Sequence, residues 1–214
     1  MAPDLTQWYK NHDDGYEAVK ERLRSARSVL LNGHIGYAAE NLRLSYVNAV
    51  FSIKTKKERH EDAFMAYVNG ADIREAALMC VYGGQKADWI QRTFDNTNWK
   101  DLARAVRSHV KAGRISDLLE IQNELVGVSY TKWSFTLAMC GVWEIACFDS
   151  NARHFFDIDT GRTVRSADEY IELIEQLQSD TEIPEKPFVI QWAIYDYERG
   201  EHARHMPFFR NICL

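Results

Sequence analysis

Two short stretches of this sequence combine residue types that could carry chemistry. The first is Ala146-Cys147-Phe148-Asp149-Ser150-Asn151-Ala152-Arg153-His154-Phe155, where one acid interrupts an apolar run as a new helix begins. A carboxylate there can be an N-cap, worth about 1 kcal/mol, or a charge held at an apolar wall for use on a substrate. The second runs from Leu118 through Leu125-Val126-Gly127-Val128-Ser129-Tyr130-Thr131-Lys132-Trp133. An amphipathic helix ends at Gly127, the chain turns tightly, and a second helix starts about three residues later. Such a hairpin turns the unpaired N–H groups of the second helix outward, together with the positive end of its dipole, and makes a site for one backbone phosphate. That contact positions DNA without reading its sequence. The same glycine turn also serves plain helix-to-helix packing.

Other chemistry finds less support. His202 and His205 stand three apart with no third ligand motif, and no metal is expected. Cys80, Cys140, Cys147 and Cys213 form no CxxC pair, and three of them sit in apolar stretches, which reads as free thiols in a reducing compartment. There is no phosphate-cradling glycine loop, no zinc-deaminase pattern and no Gly-x-Ser-x-Gly elbow. Phe188, Trp192, Tyr195 and Tyr197 share one apolar segment and are expected in the core.

The elements that would position these residues read as helices joined by short loops, since prolines number 4 and most of the 11 glycines end periodic stretches. Val19, Leu23, Ala26 and Leu30 recur at helical spacing until Asn32-Gly33. Residues 37–53 are apolar nearly all round, the mark of a central buried helix. Further helices are expected over 61–68, over 73–82 closed by Gly83-Gly84, and over 86–94, 99–111 and 115–125. Ser166-Ala167-Asp168-Glu169 reads as a capping box, and a last helix runs from 185 or 186 to 198. No stretch alternates long enough for a sheet, though residues 157–164 have room for a turn or short hairpin. The fold class is all-α.

A chain of 214 residues, 46% hydrophobic and 27% charged, buries roughly 70% of its unfolded surface and reads as soluble and globular. No apolar run approaches ~20 residues, so no membrane partner is expected. The acidic, aromatic start does not read as a signal peptide. Net charge is −5, yet it is unevenly spread. Lys54, Lys56, Lys57 and Arg59 against Glu58 give +3 in six residues. Lys100, Arg104, Arg107, Lys111 and Arg114 against Asp101 give +4 in fifteen, whereas residues 168–185 hold seven acids and no base. The asymmetry is compatible with one DNA-facing side, and equally with solvated helix faces.

Taken together, the hairpin and the aspartate resemble the helix-hairpin-helix base-excision glycosylases, the endonuclease III and archaeal 8-oxoguanine glycosylase group. That family's hairpin, Gly-hydrophobic-Gly-x-(Lys or another residue)-x-Ala, falls on Gly127-Val128-Ser129-Tyr130-Thr131-Lys132-Trp133, and its aspartate turn on Phe148-Asp149-Ser150-Asn151. Thr131 and Asp149 are 18 residues apart, which matches the family's lysine-to-aspartate spacing. Upstream, Ala49-Val50-Phe51-Ser52-Ile53-Lys54-Thr55 looks like the family's Leu-Leu-Ser-x-Gln-Thr segment. The resemblance covers residues 44–156. The chain departs from the pattern at Ser129, Trp133, Asn151 and Lys54, and no four-cysteine iron–sulfur pattern lies near the C-terminus.

The resemblance implies a two-lobed helical unit without an iron–sulfur cluster. Residues 37–156 carry the motifs, the hairpin spans 115–141, and residues 1–36 and 157–214 make the second lobe. It implies a monomeric DNA repair glycosylase, cytoplasmic or nuclear, that needs no cofactor. Its partner is double-stranded DNA with a damaged or mispaired base. Asp149 stabilises the sugar cation, and Lys54 with Thr55 fills the gap left by the flipped nucleotide. Gly127, Val128, Ser129 and Tyr130 contact the backbone, and Tyr130 or Trp133 can stack on the base, although Trp133 also suits the core. Thr131 in the lysine position implies a monofunctional enzyme, with Lys132 turned away by ~100° along the helix. Alternatives are a glycosylase/lyase using Lys132, a DNA-binding relative without catalysis, and a helical interaction module.

Overall fold

The computed structural model describes residues 3–158 and 164–200, and among them the chain forms twelve α-helices, one 3-10 turn and no strand. These are α1 (Pro3–Asn11), α2 (Asp13–Asn32), α3 (Ile35–Phe51), α4 (Lys57–Val68), α5 (Ile73–Leu78) and α6 (Gly83–Asn96). They continue with α7 (Trp99–Ala112), α8 (Ile115–Glu120), the 3-10 turn Ile121–Glu124, α9 (Tyr130–Met139), α10 (Ser150–Phe155), α11 (Ala167–Asp180) and α12 (Pro187–Arg199). The fold is all-α, as the periodicity predicts. His202, His205, Cys213 and most of residues 157–164 lie outside the described residues.

Local chemistry accounts for most helix ends. Asn98 accepts hydrogen bonds from the N–H groups of Lys100 and Asp101 to start α7, and Gly113 ends it at φ +66°. Ser166 Oγ accepts from Glu169 N at 3.2 Å while Glu169 Oε2 accepts from Arg165 N at 2.9 Å, so the predicted capping box forms one residue displaced. Gly83-Gly84 opens α6 instead of closing α5. A Cβ on Gly83 would lie 2.3 Å from the Ala77 carbonyl oxygen, so glycine lets the two helices meet, and the turn itself falls on Tyr82 at φ +57°. The first hairpin helix likewise stops at Glu124, short of Gly127. Helix α4 starts at Lys57, and α1 carries no periodic signal that announced it.

Helix α3 is the hub. Its Leu42, Tyr46, Val47, Val50 and Phe51 are fully buried, and α2, α4, α6, α7 and α9 pack around it. It also fixes the hairpin: Tyr46 Oη donates to the Val126 carbonyl at 2.7 Å, and Thr93 Oγ1 accepts from Val126 N at 3.0 Å. Gly127 sits so tightly on Trp89 that a Cβ would lie 2.5 Å from its ring. At the other end, α12 packs on α1, α2, α10 and α11. Glu185, just before α12, accepts from Lys20 Nζ at 2.6 Å and from Tyr9 Oη at 2.8 Å. No helix among the described residues is long and apolar enough to cross a membrane.

Candidate active site

Where the hub, the hairpin and the last helix meet they leave a cavity of about 730 Å³. Its walls come from the chain after α3 (residues 52–57), His60 and Glu61 of α4, Thr131, Lys132 and Phe135 of α9, residues 147–151 and 153, and Gln191, Trp192, Tyr195 and Arg199 of α12. The three motifs of the sequence therefore open on one space. Within it, Lys54, Thr55, Thr131, Lys132 and Asp149 all line the wall.

Asp149 is the N-cap of α10, with extended backbone (φ −76°, ψ −175°). Its Oδ1 accepts from Asn151 N and Ala152 N, both at 3.0 Å. Capping and wall position are thus the same arrangement and not alternatives. Burial pushes the carboxyl above its ordinary pKa, and the two N–H groups and the Lys132 ammonium act against that. Neighbouring Cys147 is a neutral thiol, pushed up to about 12 by burial and the Asp149 charge.

Lys132 sits in the first turn of α9, and its Nζ donates to Ser52 Oγ at 2.9 Å. Thr131 Oγ1 donates to the Phe148 carbonyl at 3.3 Å. The sequence argument turned Lys132 away if Thr131 faced the site, but both reach the wall. A lysine stem is long enough to undo a one-residue rotation, whereas the short threonine side chain is engaged by the backbone just before Asp149.

His60 completes this corner. Burial, helped by the Lys132 and Lys86 charges, lowers it to about 4, so its ring is neutral at physiological pH. Gln191 is 3% exposed, and its Oε1 has no hydrogen-bond partner among the described residues. Phe188 and Trp192 are core as expected, with Trp192 also bordering the cavity; Tyr195, expected in the core, is half-buried on the cavity wall because α12 buries one face and turns an edge to the opening.

The remaining sequence-derived residues divide. Trp133 is not on the wall: it is fully buried, and its indole donates to the Leu118 carbonyl at 2.8 Å, which makes it the hairpin's internal packing. Tyr130 is buried with its hydroxyl on Glu120 Oε1 at 2.8 Å. Gly127 takes φ +79°. Ser129 does not need positive φ, since it enters α9 at φ −108°, ψ 177° and its side chain makes no cap hydrogen bond. The first N–H groups of α9 thus have no side-chain cap from Ser129, and Val128, half-buried, and Ser129, exposed, stand just before them. In the second basic stretch Arg107 is spent on structure, donating to the Leu30 and Gly33 carbonyls at 2.7 and 2.8 Å.

An apolar tip lies beside two residues of the cavity wall, Lys54 and Thr55, and past Leu78 it leaves the helix that the periodicity predicts. Leu78 is 66% and Tyr82 58% exposed, with Met79 and Val81 also open to solvent. Val81 N donates to Thr55 Oγ1 at 3.2 Å, and Lys54 Nζ lies 5.9 Å from the centre of the Tyr82 ring. Lys54 and Tyr82 both hold positive φ, +50° and +57°, a conformation that bulky residues rarely adopt. The signal available in the sequence was the run of seven apolar residues from Ala76 to Tyr82 before Gly83, too many for one helix face.

No family model matches the chain, and no curated protein matches it. Among solved structures, the 8-oxoguanine DNA glycosylase of Thermotoga maritima aligns with a TM-score of 0.68, over 92% of this chain and 97% of that one, at 16% identity. The two chains share a fold.

Proposed function

We propose that this protein is a DNA N-glycosylase that extrudes a damaged base into the cavity and cleaves its glycosidic bond, with Lys132 as the attacking amine and Asp149 as the charge that stabilises the sugar cation. The observation that carries this reading is the meeting of an amine on Ser52 Oγ and a capped carboxyl on the wall of one cavity. The shared fold with a DNA glycosylase supports the same class.

The residues divide the work. The N-terminus of α9, with Gly127, Val128 and Ser129, holds a backbone phosphate. Lys54, Thr55 and the Tyr82 tip enter the stack where the nucleotide leaves it, an apolar wedge that offsets the unstacking. The amine of Lys132 attacks the sugar C1′ as the glycosidic bond breaks; the base leaves with the bonding electrons and takes up the proton that the attacking nitrogen sheds. Asp149, ionised, stabilises the positive charge that builds at C1′. The ring then opens to an imine on Lys132, which loses a C2′ proton and eliminates the 3′ phosphate.

A second reading, a monofunctional enzyme with water as nucleophile, is favoured by the separation of 18 positions from Thr131 to Asp149 and by the presence of Thr131 on the same wall. Strand release from labelled duplexes separates the two. The duplexes carry 8-oxoguanine, uracil, thymine glycol, an alkylated purine or an abasic site, run with and without hot alkali and with borohydride. A trapped adduct and cleavage without alkali are expected from the wild type, and neither from Asp149→Asn, which retains duplex binding. Cleavage only after alkali establishes the monofunctional enzyme. No activity on any lesion, with binding intact, leaves a DNA-binding protein.

A further inference from the structure

The oxygen that holds Lys132 is itself held from behind. Ser52 is the first residue after α3, where the last helical carbonyls have no partner within the helix. Lys86 of α6 supplies one. Its side chain is completely buried, and Nζ donates to the Phe51 carbonyl at 2.8 Å, the Ile53 carbonyl at 2.6 Å and Thr55 Oγ1 at 2.7 Å. An ammonium has three protons, and three acceptors meet them, which is what makes such burial tolerable. The negative end of the α3 dipole favours the charge as well. No carboxylate pairs with it among the described residues, and burial pushes its pKa down to about 8.

A helix end can be finished by water, glycine or asparagine. A buried cation is an unfavourable way to do the same work unless it fixes something the milder caps leave loose. What it fixes is visible in the order of its acceptors. The carbonyls of residues 51 and 53 bracket Ser52, whose hydroxyl donates to the Ala49 carbonyl at 2.8 Å and accepts from Lys132 Nζ at 2.9 Å. The third acceptor, Thr55 Oγ1, also receives Val81 N, so the same lysine ties the wedge loop to its apolar tip.

We propose that Lys86 is a positioning residue: by clamping the carbonyls on either side of Ser52 it fixes the hydroxyl that aims the Lys132 amine at the sugar. This rests on the reading of Lys132 as nucleophile. A misplacement of the reacting amine by ~1 Å costs on the order of 100-fold in rate, so the clamp acts on chemistry more than on binding.

The test is the single-turnover rate of borohydride trapping on an abasic duplex, set beside affinity for a duplex carrying tetrahydrofuran, which forms no imine. Lys86→Met is expected to lower trapping about 100-fold while affinity for the tetrahydrofuran duplex, which feels only the loosened wedge loop, falls by a much smaller factor. Ser52→Ala cuts the same link nearer the amine and is expected to lose a similar factor. The double variant is expected to lose little more, because both act through one contact. If Lys86→Met does not fold, Lys86→Gln, which keeps one donor, is expected to give an intermediate loss with the same split. Trapping at the wild-type rate overturns the proposal. So do parallel losses of trapping and affinity, or additive losses with Ser52→Ala, which mark a purely structural cap. A wild type that traps nothing overturns the lyase reading first and this inference with it.

Discussion

Lys132 and Ser52 are 80 residues apart in sequence and 2.9 Å apart in space, and their hydrogen bond joins the second hairpin helix to the end of α3. It links the two elements expected to grip DNA, the hairpin on a phosphate and the 52–55 turn in the stack. An amine tethered to a hydroxyl across that junction holds a defined place on the cavity wall.

The nucleophile is distinguished by comparing the two residues on the wall. Lys132→Ala is expected to remove borohydride trapping entirely, whereas Thr131→Ala, which loses its bond to the Phe148 carbonyl, keeps most of it. The reverse pattern, with trapping unaffected by Lys132→Ala, transfers the amine role elsewhere.

Gly127 combines φ +79° with an approach that would put a Cβ 2.5 Å from the Trp89 ring. Gly127→Ala is expected to destabilise the fold by about 1–3 kcal/mol, read from the urea midpoint. The displaced hairpin also weakens binding to undamaged duplex, with a loss that does not depend on sequence because the contact is to phosphate.

His60 gives the pH dependence. Its pKa in the fold, about 4, lies below the 6.5 of an unperturbed histidine. Between those values the unfolded chain binds the proton and the folded one does not. Its contribution is therefore complete above pH 6.5 and lost as pH falls to about 4. The shift corresponds to about 3 kcal/mol of stability lost between neutral pH and pH below 4. The difference between wild type and His60→Gln across that range isolates it from Asp149, whose raised pKa works in the opposite sense.

Tyr82 should separate stability from function. Its left-handed backbone at φ +57° is strained, and Tyr82→Gly relieves it, so thermal unfolding is expected to show a gain of up to about 1 kcal/mol. Excision from duplex DNA is expected to fall in the same variant because the wedge is gone, while action on a single-stranded abasic oligonucleotide, which needs no wedge, changes little.

Helical periodicity made most of the architecture legible. The all-α class, the central helix, the cap at Asp149 and the box at Ser166 all follow from local rules, and local rules govern helix ends. The errors fall where a distant contact decides. Gly83 reads as a terminator, but it is there for the Ala77 carbonyl across the turn. Trp133 reads equally as stacking platform or core, and only the Leu118 carbonyl against its indole decides. His60 was silent, Ser52 stood only as one member of the 49–55 segment, and Gln191 was nearly silent, because their importance lies in what faces them. Gln191 had one faint signal, a carboxamide amid Val189, Ile190, Trp192 and Ala193.

Helix α12 supplies the wall that carries Gln191, Trp192 and Tyr195, and it packs against α1 and α2 from the far end of the described chain. Synthesis proceeds in the other direction. A chain still on the ribosome already holds Lys132 and Asp149, yet has no enclosed space for a base until α12 emerges and docks. Docking joins segments some of which lie 165 to 180 residues apart, such as Lys20 with Glu185 and Tyr16 with Asp196, and contacts of that span form late. A chain without α12 docked therefore holds Lys132 and Asp149 on an open surface, and the enclosed cavity forms only when α12 packs against them.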